Sequence, residues 1–220
     1  MNELLTNDEG VFLVQLARQT IETYVKEQRV LENPSISSKS LFENRGVFVT
    51  IKKLSQTSQE HLELRGCIGR LQPPPNSKIP PIPLLEATKQ AAISSAMEDP
   101  RFPVVRLDEL DVILIEVSVL TVPKEIVLKE KSLLPQQITV GKDGLIVEYN
   151  TFRRGLLLPQ VAPEQGWNAE EFLQGCCMKA GLPPDKYLDS RVKVFKFQAQ
   201  IFAETSPRGE IIEQTFQESL

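Results

Sequence analysis

Histidine is nearly absent from this sequence, which excludes several common active sites. His61 is the single histidine, so a serine triad or a cysteine–histidine dyad has only this residue to use. On an extended strand, the step from His61 to Cys67 spans about 20 Å, which separates the two side chains. A structural zinc site needs four ligands at short spacings, and the chain has no Cys-x-x-Cys pair. No metal site is therefore predicted.

Other signatures are missing as well. No run approaches the roughly 20 apolar residues that cross a bilayer, and the polar, acidic residues 1–8 do not resemble a secretory signal. Three cysteines, an odd number, argue against a disulfide framework. Neither a Gly-x-Gly-x-x-Gly motif nor a phosphate loop occurs, so no cofactor is predicted. We expect a cytoplasmic protein with no membrane partner.

The charge balance argues against a nucleic-acid partner. The net charge is −4, whereas nucleic-acid-binding domains are typically basic because Lys and Arg neutralise phosphates. The basic pairs Lys52-Lys53 and Arg153-Arg154 are short. RNA binding through Arg65, Arg70 and Arg101 stays open as the weakest functional hypothesis.

The pattern of apolar residues predicts an α+β fold. Helices are expected over residues 6–28, 83–97 and 168–180, where capping residues precede helical stripes. Strands are expected over residues 47–52, 61–68, 112–120, 138–140, 145–147, 156–158 and 191–203. Neighbouring strands are mostly not separated by helices, which indicates a largely antiparallel or mixed sheet flanked by helices. The chain, 1–220, is taken as a single domain, with two small lobes as the alternative.

Three local features carry specific expectations. Lys142-Asp143-Gly144 predicts a hairpin turn between strands 138–140 and 145–147. The apolar pattern changes phase within 191–203, and a bulge near Val194 would reconcile its two halves. Residues 204–220 are polar and predict a fraying C-terminal tail.

The candidate functional centre is the hexapeptide Leu64-Arg65-Gly66-Cys67-Ile68-Gly69 at the end of a predicted strand. Strand ends present functional groups on a rigid frame, and Gly66 and Gly69 would let a ligand approach the backbone closely. Two arginines, Arg65 and Arg70, would lower the pKa of the thiol between them. The alternative is a buried, inert cysteine beside glycines that serve a turn.

Other polar residues have two interpretations each. Asp99 and Arg101 could orient each other at an anion site, or form a charge-paired turn anchored by Phe102. Cys176 and Cys177 are adjacent on a predicted helix and are interpreted as packing residues.

Four blocks of this sequence closely resemble the AMMECR domain family. They are Leu64 to Gly69, Asp99 to Pro103, Gly155 to Val161 with Gly166-Trp167, and Lys179 to Pro183, and the match covers about Gly46 to Phe202. The resemblance implies an intracellular α+β protein with two lobes around a cleft. The resemblance also implies a functional link to a Memo-like protein and a radical SAM protein, with which prokaryotic members of the family look to be encoded or fused. The family implies no settled reaction.

The leading hypothesis is a small-molecule or peptide site in a cleft lined by the hexapeptide. Its predicted members are Cys67 as thiolate nucleophile or redox group, Arg65 as anion binder, Gly66 and Gly69 as backbone contacts, Asp99 and Arg101 as residues that shape the cleft, and Gln160 as a polar contact. The competing hypothesis is a non-catalytic interaction module whose Pro73–Pro83 loop docks a partner protein. Whether the protein is an enzyme stays open.

Overall fold

The computed structural model describes residues 4–34, 37–54, 62–73, 78–150 and 152–214. The predicted fold class is confirmed, because 35% of the described residues are helical and 26% lie in strands of antiparallel sheets. The helices are α1 (Asn7–Glu27), α2 (Leu84–Met97), α3 (Val161–Gln165) and α4 (Ala169–Lys179). The strands are β1 (Val47–Leu54), β2 (Leu62–Arg70), β3 (Ile113–Leu120), β4 (Lys124–Glu125), β5 (Gly144–Glu148), β6 (Arg154–Leu157), β7 (Lys193–Phe197), β8 (Ala199–Glu204) and β9 (Ile211–Gln214).

The chain divides into two compact units. The first comprises Met1–Val119 with Gln200–Thr215, and the second comprises Leu120–Ala199 with Phe216–Leu220. His61 and the turn before it, together with residues 74–77 of the proline-rich loop, lie outside the described residues.

A five-stranded sheet in the order β2-β1-β3-β8-β9 forms the frame of the first unit. Alternate residues of a strand face opposite sides of a sheet, and the apolar side of β1 and β3 joins buried residues of α1 and α2 in one core. Helix α1 begins at a reciprocal capping box between Thr6 and Glu9 and ends where Gln28 adopts a left-handed conformation. Strand β3 lies at the centre of the sheet, as its apolar sequence predicts.

The second unit is built on a four-stranded sheet in the order β4-β7-β5-β6. Helix α4 starts at the predicted capping box, in which the Asn168 side chain accepts hydrogen bonds from the amides of Glu170 and Glu171. Cys176 and Cys177 are fully buried in the apolar core of this unit. Their predicted packing role is confirmed.

The hairpin predicted at Lys142-Asp143-Gly144 is wrong. The amides of Lys142 and Asp143 both donate to the Thr139 carbonyl, at 3.1 and 2.9 Å, and the Thr139 amide donates to the Asp143 carboxylate at 3.0 Å. A strand over 138–140 would need these backbone groups for its ladder, so the segment forms a turn. Strand β5 pairs instead with β6 and β7.

The bulge predicted near Val194 is also wrong, because β7 is regular through this position and has apolar side chains on both of its faces. Val194 and Phe195 pair with Val147 and Ile146 of β5 in an unbroken register. Strand β7 ends at Phe197 in the sheet of the second unit, and β8 starts at Ala199 in the sheet of the first. The phase change therefore lies inside β7, between Val194 and Phe195, and the passage to the other sheet follows it at Gln198.

The segment after Glu204 differs from the predicted fraying tail. Residues 205–209 form a turn, and β9 pairs antiparallel with β8 from Ile211 to Gln214. Ile211 packs against the core of the first unit, so an apolar residue in a polar segment is sufficient to dock a short edge strand.

Candidate functional site

The hexapeptide lies on edge strand β2, and a β-bulge interrupts the strand at Arg65. Gly66 pairs with Ile51 and Leu64 pairs with Lys52, so Arg65 has no register partner on β1. A bulge breaks the alternation of side chains along a strand, and both Arg65 and Gly66 are buried as a result. The bulge therefore directs the Arg65 side chain toward the protein interior.

All three nitrogens of the Arg65 guanidinium donate hydrogen bonds within the first unit. Its Nε and Nη2 each donate to the Glu109 carboxylate at 2.9 Å, while Nη1 donates to the Pro103 carbonyl at 2.8 Å and Nη2 to the Val104 carbonyl at 3.2 Å. Hydrogen bonds from Arg65 are the largest influence on Glu109 and lower the pKa of its carboxyl to about 2. Because all three nitrogens are engaged, the anion-binding role predicted for Arg65 does not fit this geometry.

The two glycines of the motif serve close packing. A Cβ on Gly66 would collide with the Ser95 carbonyl oxygen of α2, and a Cβ on Gly69 would collide with the Phe48 ring. Neither glycine has a positive φ, so glycine is required at these two positions because there is no space for a Cβ. The backbone contacts predicted for a ligand are occupied here by a helix and an aromatic ring.

Backbone amides of the motif are bound by α2 and by the turn that follows it. The Cys67 amide donates to Asp99 Oδ2 at 2.8 Å, and the Ile68 amide donates to Ser95 Oγ at 2.7 Å. Ser95 Oγ in turn donates to the Val49 carbonyl at 2.5 Å. An edge strand with unpaired amides invites pairing with other chains. Consecutive amides of a strand point to opposite sides, and Ser95 links the Ile68 amide to Val49 of β1, so the contact with Asp99 is the one that occupies an amide of the free edge.

Asp99 and Arg101 join Cys67 across more than thirty residues of sequence. Arg101 donates to the Asp99 carboxylate through Nε at 3.0 Å and Nη2 at 2.7 Å, and Nη2 also donates to the Cys67 carbonyl at 3.2 Å. Hydrogen bonds from Arg101 hold the pKa of the Asp99 carboxyl well below its usual range. The Arg101 side chain is 54% exposed, so a ligand in solvent could reach Arg101 but not the buried Asp99.

The Cys67 thiol is half-buried and is held in its protonated form. Burial is the largest influence and raises the pKa of the thiol, and the negative charges of Glu116 and Asp99 act in the same direction. Thr50 Oγ1 donates a hydrogen bond to Sγ at 3.4 Å, which opposes the rise. The expectation that neighbouring arginines lower this pKa below that of a free thiol is wrong.

A row of polar side chains crosses the sheet at Cys67, on the face opposite the helices. Thr50 of β1 pairs with Cys67 of β2 on one side and with Glu116 of β3 on the other. Directly paired residues of neighbouring strands share a face, so the three side chains lie side by side. Glu116 is 5% exposed, and Lys52 Nζ lies 2.6 Å from its Oε2. We name Cys67, Thr50, Glu116 and Lys52 the thiol row.

Sequence reasoning missed three members of the thiol row. Glu116 is the single charged residue within the apolar run of β3, and a charge in a central strand is expensive to bury without a partner. That signal could have indicated a polar face. Its pairing with Lys52 and its register with Cys67 depend on how β1, β2 and β3 align, which the sequence does not specify.

Gln160 belongs to the second unit, where it precedes α3. Its Oε1 is buried and has no hydrogen-bond partner among the described residues. Its predicted role as a polar contact in the ligand cleft stays a prediction.

The described residues contain no group of three His, Cys, Asp or Glu side chains that could hold a metal ion. Within the same ranges, no helix has both the length and the apolar character to span a bilayer. A surface groove of about 630 Å³ between the end of α1 and residues 104–108 has an apolar lining that includes Val25, Met97 and Val104. The thiol row lies outside that groove.

Comparison with known proteins identifies relatives along almost the whole chain. The family model AMMECR1 matches residues 14–202. A protein of Thermofilum pendens is 48% identical over 213 residues, which cover 96% of each chain. Protein MJ0810 of Methanocaldococcus jannaschii is 46% identical and matches 96% of this chain and 98% of its own. The crystal structure of the uncharacterized protein PH0010 from Pyrococcus horikoshii superimposes with a TM-score of 0.84 at 48% identity, covering 96% of this chain and 99% of that one.

Proposed function

Because this chain belongs to the AMMECR1 family, and a shared fold does not by itself identify a reaction, we propose a function from the geometry of the site: the chain binds a small molecule or peptide beside Cys67. The proposed chemistry is acyl transfer from an amide or ester carbonyl to the thiol. The observation that carries the proposal is the thiol row, in which the half-buried thiol accepts a hydrogen bond from the Thr50 hydroxyl, and the buried Glu116 carboxylate with its Lys52 partner lies on the far side of Thr50 on the same face of the sheet. Each of these groups has a distinct role in an attack by sulfur on a carbonyl.

The thiol needs a proton acceptor because its pKa is raised. As the sulfur–carbon bond forms, the S–H proton becomes acidic, and a carboxylate held close by can accept it in the transition state. Glu116 is that acceptor in our proposal, and the Thr50 hydroxyl relays the proton: the hydroxyl rotates, takes the proton from sulfur and releases its own proton to the carboxylate. The sulfur gains an acyl group, the carboxylate gains the proton, and the amine or alcohol of the substrate leaves after it is protonated in turn.

Lys52 and Arg101 supply the positive charge that such a reaction uses. An attacked carbonyl develops negative charge on oxygen, and cationic donors that are already in place stabilise it. The Lys52 side chain is 31% exposed and is oriented by its contact with Glu116. The Nη1 of Arg101 has no hydrogen-bond partner among the described residues, so it remains able to donate to an anionic or carbonyl group of the ligand.

Acylation by a panel of p-nitrophenyl esters tests the proposal. We expect at least one ester to acylate Cys67 with a rate that saturates with ester concentration and a burst of one p-nitrophenolate per chain, because saturation requires a bound complex. Cys67→Ser should abolish the burst, whereas Cys177→Ala, at a buried cysteine, should preserve it. Acylation that stays linear in ester concentration for every ester, or is spread equally over other residues, contradicts the proposal.

The RNA hypothesis loses support from the same contacts. Arg65 is bound to Glu109, Arg70 donates to Ser94 Oγ at 2.7 Å, and Arg101 is paired with Asp99. Arginines committed to protein partners neutralise fewer phosphates. RNA binding that weakens steeply with salt would restore the hypothesis.

A further inference from the structure

Two side chains of the turn after α2 bind the free edge of β2 at Cys67. The amide and carbonyl of one strand residue point to the same side. The Cys67 amide donates to Asp99 Oδ2 at 2.8 Å, and the Cys67 carbonyl accepts from Arg101 Nη2 at 3.2 Å. Asp99 and Arg101 therefore take the place of a neighbouring strand, and they hold a guanidinium beside the residue that carries the thiol.

The Arg101 guanidinium has a fixed orientation. Its Nε and Nη2 donate to the Asp99 carboxylate at 3.0 and 2.7 Å, and the Arg101 backbone amide donates to the same carboxylate at 3.1 Å. The guanidinium carbon lies 5.4 Å from the centre of the Phe102 ring, a distance at which the face of an aromatic ring attracts a cation. A group that is already oriented loses little conformational entropy when it binds a ligand.

One nitrogen of this guanidinium is left for a ligand. Nη1 has two N–H donors, and neither has a partner within the part of the chain that the structure describes. The Arg101 side chain is half exposed, whereas the Asp99 side chain is 2% exposed, so a ligand meets the donors and not the carboxylate. Hydrogen bonds from a cationic donor to an anionic acceptor are about twice as strong as neutral ones.

The same guanidinium acts on the thiol, and the second cation of the site lies elsewhere. Burial raises the pKa of the Cys67 thiol, and the positive charge of Arg101 opposes that rise, so the two groups lie close enough to interact. Lys52 lies on β1, where its Nζ is 2.6 Å from Glu116 Oε2. The two cations are thus available to different parts of one substrate.

We propose that Arg101 determines the substrate class of this site: the acyl donor that reacts at Cys67 carries a carboxylate, which Arg101 Nη1 binds while Lys52 stabilises the attacked carbonyl oxygen. Asp99 already balances the charge of Arg101, so a singly charged carboxylate fits better than a phosphate monoester, which brings nearly two negative charges at pH 7. The substrate class rests on the acyl transfer proposed above. The anion site itself does not, and it can be measured by a different reaction.

Alkylation of Cys67 by iodoacetate and by iodoacetamide tests the anion site. Both reagents form a sulfur–carbon bond with loss of iodide and are similar in size, but only iodoacetate is charged. We expect iodoacetate labelling to saturate, and acetate to protect Cys67 better than inorganic phosphate does. Arg101→Gln should lower the ratio of the iodoacetate rate to the iodoacetamide rate about tenfold or more, which corresponds to about 1.4 kcal/mol. A purely structural effect would change both rates alike.

Arg70→Gln is the matched control, because it removes the same charge from the same strand on the side of the helices. Arg70 Nη2 donates to Ser94 Oγ of α2 at 2.7 Å, so this variant should keep the wild-type ratio. Arg101→Lys, which keeps the charge, should retain part of the preference, and circular dichroism should show all variants folded. An unchanged ratio in Arg101→Gln, an equal loss in Arg70→Gln, or stronger protection by phosphate overturns the proposal.

Two p-nitrophenyl esters connect the anion site with acyl transfer. The monoester of adipic acid and the ester of hexanoic acid have acyl chains of equal length, which end in a carboxylate and a methyl group. We expect the adipate ester to acylate Cys67 with a second-order rate constant about tenfold higher or more, and Arg101→Gln to remove this advantage. If both esters acylate equally well, acyl transfer stands and the carboxylate preference is wrong. If neither acylates Cys67 although iodoacetate selectivity requires Arg101, acyl transfer and the substrate class are wrong, and only the anion site stands.

Discussion

Gly66→Ala is predicted to destabilise the first unit because it separates β2 from α2. The added Cβ would lie 2.2 Å from the backbone oxygen of Ser95, whereas Cβ atoms in proteins are essentially never found closer than 3.0 Å to such an atom. A backbone oxygen in the last turn of α2 cannot swing aside as a side chain can. The strand must therefore retreat, which strains or breaks the bond from the Ile68 amide to Ser95 Oγ at 2.7 Å.

The expected cost follows from three contributions. Overpacking of a well-packed interior costs about 1–3 kcal/mol, and this contact is at the severe end. A weakened hydrogen bond adds about 1 kcal/mol, while the lower entropy of alanine in the unfolded chain returns up to about 1 kcal/mol. We expect a net loss of about 3 kcal/mol in the free energy of unfolding, measured by urea titration with circular dichroism.

Gly69→Ala is the matched control for this prediction. Its Cβ would meet the Phe48 ring, a side chain that is half-buried and can rotate, so the expected loss is about 1 kcal/mol. Adding Phe48→Ala should remove most of the clash caused by Gly69→Ala, and it should leave the effect of Gly66→Ala unchanged. A Gly66→Ala protein within about 0.5 kcal/mol of the wild type, the range of neutral surface changes, would refute the packing role assigned to the motif.

Two further predictions concern charges around the motif. The pKa of Glu109 is about 2 in the folded protein against 4.5 ordinarily, so its pairing with Arg65 stabilises the fold above pH 4.5 and is lost as the pH falls toward 2. Glu109→Gln should therefore cost about 3 kcal/mol at pH 7 and about 1.4 kcal/mol at pH 3 in urea unfolding, and a cost that is equal at both pH values would contradict this. Glu116→Gln should lower the pKa of the Cys67 thiol, because the nearby negative charge is removed, whereas Thr50→Val should raise it, because a hydrogen-bond donor is lost. The pH profile of iodoacetamide labelling, read by mass spectrometry, measures both changes, and profiles that coincide with the wild type would show that neither residue acts on the thiol.

Local signals in the sequence were sufficient for the two helices that begin at capping boxes, whereas the short helix α3 was not predicted. The capping boxes at Thr6 and Asn168 are formed by residues three positions apart, so the sequence contains both partners of each interaction. The same kind of local signal failed at Asp143, because a turn residue does not say whether the chain returns along the preceding segment or enters a different strand pair. Asp143 is 3% exposed and contacts Lys196 of β7, a partner that only the folded chain provides.

For the candidate site, too, the sequence identified the residues but not their roles. The hexapeptide, Asp99 and Arg101 could be selected from the sequence, and the structure brings Cys67, Asp99 and Arg101 together. Their roles could not be predicted, because a side chain's charge environment depends on distant partners. Arg65 reaches Glu109 across 44 residues, and the negative charge near the thiol comes from Glu116 on β3.

The central claim is that Glu116 accepts a proton from Cys67 during attack on a bound carbonyl, and Glu116→Gln tests it through two rates measured on one variant. The rate of labelling by iodoacetamide, which reacts with free thiolate, should rise because the thiol pKa falls. The saturated rate of acylation by a p-nitrophenyl ester should fall by about 10²-fold or more, the usual contribution of a general base. The predicted result is therefore a faster labelling by iodoacetamide together with a slower acylation by the ester. If both rates rise together, Glu116 is only an electrostatic neighbour of the thiol, and the proposed chemistry at the thiol row is wrong.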